Sequence, residues 1–164
     1  MIWLRFILTI FKWLLLMPLH LLVWLSRYIF AVPAVLLFST KDRKHLRFPF
    51  RWLETQDNDL GGDFGWQSEH IKPGSDPYSN YNRIMWLFRN GGQVVEYKVL
   101  GIDYKEFQGV SPLNPNHGLS VRTDGYWQYR NIIGPVEVYW GWGLWSNIAD
   151  RSKYVWTTRR AKNA

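Results

Sequence analysis

Polar and apolar positions divide the chain near residue 40. The first forty residues, MIWLRFILTIFKWLLLMPLHLLVWLSRYIFAVPAVLLFST, are almost wholly apolar, and their few polar members keep a helical phase. At about 100° per residue, Arg5, Thr9, Lys12, His20 and Arg27 share a sector of roughly 80°. The pattern predicts a helix with one polar stripe, disturbed at Pro18 and Pro33, each of which removes a backbone donor. A spanning helix needs about 20 apolar residues with few charges. The uncharged runs here, 13–26 and 28–40, are separated by Arg27. Joining them into one span puts Arg27 near mid-bilayer at about 2.5–3.5 kcal/mol, which the surrounding Leu, Ile, Val and Phe, at roughly −0.3 to −0.6 kcal/mol each, can offset. The alternative is a helix lying in the interface with its stripe toward the headgroups and with Trp3, Trp13 and Trp24 as interfacial anchors. Burial in a larger soluble assembly is a third reading. The small-residue sequence AVPA is followed by apolar VLLF where a mature soluble protein would begin, so the segment is expected to be retained.

Beyond residue 52 the pattern shortens. YSNYNRIMWLFRNGG predicts a helix over about 81–89, capped by Ser79 or Asn80, stopped by Gly91, with Ile84, Leu87 and Phe88 as its apolar side. QVVEYKVLGIDYKEF reads as a strand with Val95, Tyr97 and Val99 on one face and a bulge at Gly101. LSVRTDGYWQYRNI holds Asp124-Gly125 between alternating segments, the strongest hairpin signal in the chain. PVEVYWGWGLW supplies a further strand with Val136, Val138, Trp140 and Trp142 on one face and Gly141 and Gly143 opening the other. Trp127, Tyr129, Trp140, Trp142 and Trp145 are expected to form an aromatic core. The fold class is therefore α+β. An N-terminal hydrophobic helical anchor (1–40) and a basic juxtamembrane linker (41–53) precede a small antiparallel β-meander domain with one packed helix (54–164).

Charge sharpens this division. The formal net charge is +7, and all of it lies before residue 52, which leaves the C-terminal domain neutral. A duplex-binding domain needs a basic surplus to displace phosphate counterions, so nucleic acid is not expected as a partner. The run KDRKHLRFPFR places Lys41, Arg43, Lys44, Arg47 and Arg51 within reach of a membrane surface, where each contributes about 1 kcal/mol against anionic headgroups. The same run favours the cytoplasmic side for itself and the domain after it. Basic residues Arg151, Lys153, Arg159, Arg160 and Lys162 read as a solvated or surface-touching tail. The chain has no cysteine, which excludes disulfides and thiolate chemistry.

ETQDNDLGGDFGW, residues 54–66, is the one stretch with candidate chemistry. Counted from Asp57, it lacks the donor spacing and closing Glu of a calcium hand-loop. Asp57, Asp59 and Asp63 are metal candidates, and a membrane-bound hydrolase using the carboxylates of this loop is a further alternative reading. The expected role is a structural joint built from Asp57, Asn58, Gly61, Gly62, Asp63, Gly65 and Trp66. In it the three glycines supply backbone angles, Asp57 and Asp63 bond loop amides, and Trp66 pins the loop to the core. GxSxG, HExxH, phosphate-loop and GxGxxG signatures are absent, so neither a catalytic residue nor a cofactor is expected.

Two motifs carry a resemblance. Thr55, Asp57, Asn58, Leu60, Gly62, Asp63, Gly65 and Trp66, followed by Asn82, Arg83, Trp86, Leu87, Arg89 and Asn90, resemble a T-x-D-N-x-L-x-G-D-x-G-W signature and an N-R-x-x-W-L-x-R-N helix. Both are found in uncharacterised membrane-anchored proteins of tailed bacteriophages. Asp59 departs from that pattern, where a neutral residue or proline is usual. The resemblance implies a phage origin and a membrane-anchored layout, with no activity attached. The resulting expectation is a non-enzymatic phage protein at the host inner membrane. Its domain would be cytoplasmic and would bind a host or phage protein, as in host modulation or superinfection exclusion. The alternative is a virion or assembly component whose apolar segment is covered by other phage proteins or inserted at genome entry.

Overall fold

The computed structural model describes residues 1–112, 114 and 117–161, so Lys162 of the basic tail lies outside the described residues. Helix α1 (Ile2–Leu37) is followed by a 3-10 turn (Phe50–Leu53), α2 (Phe64–His70), α3 (Asn80–Asn90) and α4 (Gln93–Lys98). Among the described residues seven strands follow: β1 (Ile102–Asp103), β2 (Gly109–Val110), β3 (Gly118–Arg122), β4 (Trp127–Ile133), β5 (Val136–Trp142), β6 (Arg151–Ser152) and β7 (Tyr154–Arg160). The architecture is α+β with a long apolar N-terminal helix and antiparallel sheets. The sequence divides by composition near residues 40 and 54. Contacts group the chain differently, into one unit of Met1–Pro18 with Glu96–Ala164 and another of Leu19–Val95.

In the first unit a five-stranded antiparallel sheet has the order β2-β3-β4-β5-β7, and β1 pairs with β6 in a separate two-stranded sheet. The β3–β4 hairpin turns at Asp124-Gly125 as expected. Gly125 sits at φ +93°, closed to most side chains, and its N–H donates to the Arg122 carbonyl at 2.8 Å. The aromatic core is also present. Trp142 is fully buried and donates its indole N–H to the Leu100 carbonyl at 3.1 Å, while Trp127 and Tyr154 meet it edge-on. Trp145, by contrast, is 41% exposed.

Two expectations change here. Residues 93–98 form helix α4 instead of a strand, and Val99 is exposed where a strand face would bury it. Tyr97 and Leu100 are buried three positions apart, a helical spacing, and a Cβ at Gly101 would collide with the Tyr97 and Ser152 carbonyl oxygens. The basic tail is not a tail: Arg151 and Ser152 form β6, and Tyr154–Arg160 form β7, paired with β5 along its whole length. The alternation Tyr154, Val155, Trp156, Thr157 is β-prone, and the positive charges around it obscured that signal.

On this sheet Glu137 is 7% exposed and lies opposite Arg159. Its carboxylate accepts from Arg159 Nε at 2.8 Å and from Arg130 at 2.8 and 3.1 Å. The Arg159 hydrogen bond, helped by Arg130, holds the Glu137 carboxyl below the usual glutamate range. A depressed folded-state pKa contributes stability above the unfolded value, near 4.5, that is lost as pH falls through the folded value. Glu137→Gln is expected to cost about 1.5–3 kcal/mol at neutral pH, toward the low end because Arg159 is half exposed. The loss should shrink on acidification below pH ~4.5, which melting curves across pH would register.

The second unit is built on the C-terminal half of α1. Ala31, Ala34 and Val35 pack with Leu46, Leu53, Leu60, Trp66, Trp86 and Leu87 in one core. The α3 prediction holds closely, with Ser79 accepting from the Asn82 N–H at 3.3 Å and Gly91 at the C-cap. Trp86 and Leu87 are its deepest apolar residues, whereas Ile84 and Phe88 are half buried.

Candidate functional site

The joint at residues 54–66 is more ordered than a succession of turns, because its last residues begin α2. Asp63 is the N-cap of α2, and its carboxylate accepts from the Trp66 N–H at 2.6 Å, one of the donors a helix start leaves unsatisfied. Asp59, not Asp57, is the second carboxylate engaged with the loop. It accepts from the Gly61 N–H at 2.9 Å and from the Tyr78 hydroxyl at 2.9 Å, and that hydroxyl bond raises the Tyr78 pKa. Asp57 is exposed, and Asn58 offers its carbonyl to the Thr55 hydroxyl at 2.8 Å. Of the three glycines only Gly62 has a positive φ, +77°, with the Trp66 ring where a Cβ would stand. Gly61 is small because the Tyr78 ring lies over it, and Gly65 is within α2. Trp66 is 7% exposed and meets the Trp86 ring at 5.7 Å, so it does pin the joint to the core.

Among the described residues no group of three His, Asp or Glu is placed to hold a metal ion. Replacing the Asp63 cap by alanine should lower stability by about 0.5–2 kcal/mol. The melting shift should be the same in calcium, magnesium or chelator. A divalent ion that stabilised the wild-type chain and not Asp63→Ala would make the loop a metal site.

The second motif helix ties this joint to its surroundings. Arg83 is 2% exposed and donates to the Ser39 hydroxyl and the Asn80 side-chain oxygen, each at 2.6 Å, while burial lowers its pKa. The Asn82 amide donates to the Asp76 carbonyl at 2.9 Å. Beside these, a groove of about 520 Å³ opens between helices. Tyr81, Met85 and Phe88 line it at i, i+4 and i+7 of α3, with Trp66 and His70 of α2 and Tyr28 of α1. Arg89 stands at its edge, over the Trp66 ring and in contact with His70. Tyr28 and Tyr81 carried no signal in the sequence, because the groove exists only where three separate helices meet.

Along α1 the polar stripe is real but faces the protein. Thr9, His20 and Arg27 are 9, 6 and 9% exposed. In the first unit Arg5 donates to the Thr123 carbonyl at 3.2 Å, Thr9 to the Gly125 carbonyl at 2.6 Å and Lys12 to the Tyr126 hydroxyl at 2.8 Å. In the second, Arg27 donates to the Arg89 carbonyl at 3.1 Å and lies over the Trp24 and Tyr28 rings. This corrects the placement of the stripe against headgroups. It also corrects Trp13, which is 5% exposed: its indole donates to the Val155 carbonyl at 3.1 Å and its ring stacks on Tyr154. Trp3 and Trp24 remain 54% and 41% exposed. Pro18 and Pro33 do not interrupt the helix. The other side of α1 is bare and apolar, with Leu4, Phe11, Leu15, Leu22, Ile29 and Leu36 among its exposed residues. Lys41, Arg43, Lys44, Arg47 and Arg51 are all exposed, although Arg43 also pairs with Asp76 at 3.6 Å.

Fold and site together define an α+β protein with, among the described residues, one helix long and apolar enough to cross a membrane, and with an aromatic-rich remainder. The chain belongs to DUF7338, a family of unknown function whose model matches residues 4–161. No curated protein and no solved structure matches it.

Proposed function

We propose that the protein is a non-enzymatic, membrane-attached protein of a tailed bacteriophage that holds a partner-binding domain at the cytoplasmic face of the host inner membrane. The observation that carries membrane attachment is the bare side of α1, where Leu15 is 79% exposed, Ile29 67% and Leu22 64%. A soluble monomer rarely leaves so long an apolar strip in water. The exposed basic run after α1 supports an anionic lipid surface and the cytoplasmic side. The groove of α2 and α3, largely aromatic and apolar with His70, Asn82 and Arg89 as its polar members, suits a protein partner, and an amphipathic helix is the shape such grooves take. The phage origin rests on the two motif resemblances. The carboxylates of the joint serve its own backbone and the α2 cap, which favours a structural over a hydrolytic role.

Fractionation of cells expressing the full chain tests this reading. The protein is expected in the membrane pellet and released by detergent. Recovery as a soluble monomer without detergent contradicts it.

A further inference from the structure

We propose that α1 lies in the plane of the bilayer surface, its apolar side sunk into one anionic leaflet and its polar side held by the protein, so that the chain docks on lipid without crossing it. This inference rests on the membrane attachment proposed above and specifies its mode. A spanning helix must be free of solvent-exposed charges and irregular backbone packed along it at bilayer depth. Neither segment of α1 is. In the first unit Arg5 and Thr9 bond the turn between β3 and β4, where Arg122 and Asp124 form an ion pair at 2.9 Å and Lys105 approaches at 3.9 Å. A bilayer around that segment would bury these charges and the turn's backbone in hydrocarbon, at several kcal/mol for each unsatisfied group. In the second unit Arg27 bonds the carbonyl of Arg89 at the end of α3, and Arg89 itself is exposed.

An in-plane helix needs only one free side. At about 100° per residue, Leu4, Phe11, Leu15, Leu22, Ile29 and Leu36 fall within a sector of roughly 60°, on the side opposite the polar stripe. All six are exposed. The occupant is lipid rather than protein because apolar and basic groups come together where α1 ends. Leu37 and Phe48 are 75% and 87% exposed, next in sequence to Lys41, Arg47 and Arg51, with Asp42 the only acid in the run. An apolar strip flanked by cations matches a leaflet with anionic headgroups.

The chain has no native cysteine, so single cysteines at Phe11, Leu15, Leu22, Ile29 and Leu36 can each carry a nitroxide. Depth is read from collision with oxygen and with a water-soluble nickel chelate, on vesicles of phosphatidylethanolamine and phosphatidylglycerol. All five labels are expected at one shallow depth, about 5–10 Å below the headgroups. Binding should weaken at least tenfold on pure phosphatidylcholine. A profile deepest at Leu22, near 15 Å, with Phe11 and Leu36 close to opposite surfaces, would mean a span, overturning this inference while leaving membrane attachment intact. Labels that stay fully water-accessible on vesicles would remove the attachment itself. Label–label broadening without lipid, relieved by unlabelled chain, would make a second copy the occupant. Equal binding to neutral vesicles would remove the anionic surface from the proposal.

Discussion

Leu15→Asp, Leu22→Asp and Ile29→Asp combined in one chain are expected to release the protein from anionic vesicles, with affinity falling roughly a thousandfold or more. The three side chains are exposed in the protein, so the substitutions leave its core untouched. What they lose is burial in lipid. A Leu or Ile side chain taken fully out of water is worth about 1.5–3 kcal/mol, so three lost at the low end come to about 4.5 kcal/mol, or three decades of affinity. The unfavourable insertion of three carboxylates adds to that. Vesicle co-flotation measures the loss, and an unchanged melting transition shows that the fold survives. If the triple variant floated like the parent, the bare side of α1 would not be the contact.

The second large effect separates the parts of the α3 motif. Trp86 is 3% exposed and packs on Trp66, so Trp86→Ala should cost about 3–5 kcal/mol, a large share of the 5–15 kcal/mol that holds an ordinary domain together. Arg89 is exposed at the groove edge, and Arg89→Ala should cost well under ~1 kcal/mol. Denaturant midpoints of the two variants should differ accordingly. Near-equal midpoints would place Trp86 outside the core and return the motif to a binding role.

Local signals served where the determinant was itself local. Ser79 and Gly91 bracket α3 because capping depends on a few adjacent residues. Asp124-Gly125 marks its hairpin because the turn needs a residue at positive φ. Val95, Tyr97 and Val99 misled because three alternating residues satisfy the strand period, whereas the helical pair Tyr97 and Leu100 is held by Arg151 and Trp142, distant in sequence. The polar stripe of α1 misled differently. Periodicity separates two sides of a helix and is silent about which side the rest of the chain covers, so Thr9, His20 and Arg27 were legible as a group and their burial was not. Trp13 followed the same rule: an indole suits a membrane interface and an aromatic core alike, and Val155 and Tyr154, some 140 residues away, decided between them. Within the joint, the capping carboxylate was legible, whereas Asp59 took the place expected for Asp57 because Tyr78 reaches it from outside the motif.

Sidedness tests the central claim most directly. Single cysteines at Trp3, at the start of α1 in the first unit, and at Ser75, an exposed position between α2 and α3 in the second, are treated with a membrane-impermeant maleimide on sealed inverted vesicles from expressing cells. An in-plane helix keeps both ends of α1 on the cytoplasmic face, so both cysteines should react without detergent. Reaction at only one of the two, with the other labelled only after the vesicles are opened, would show that α1 crosses the bilayer and would contradict the account.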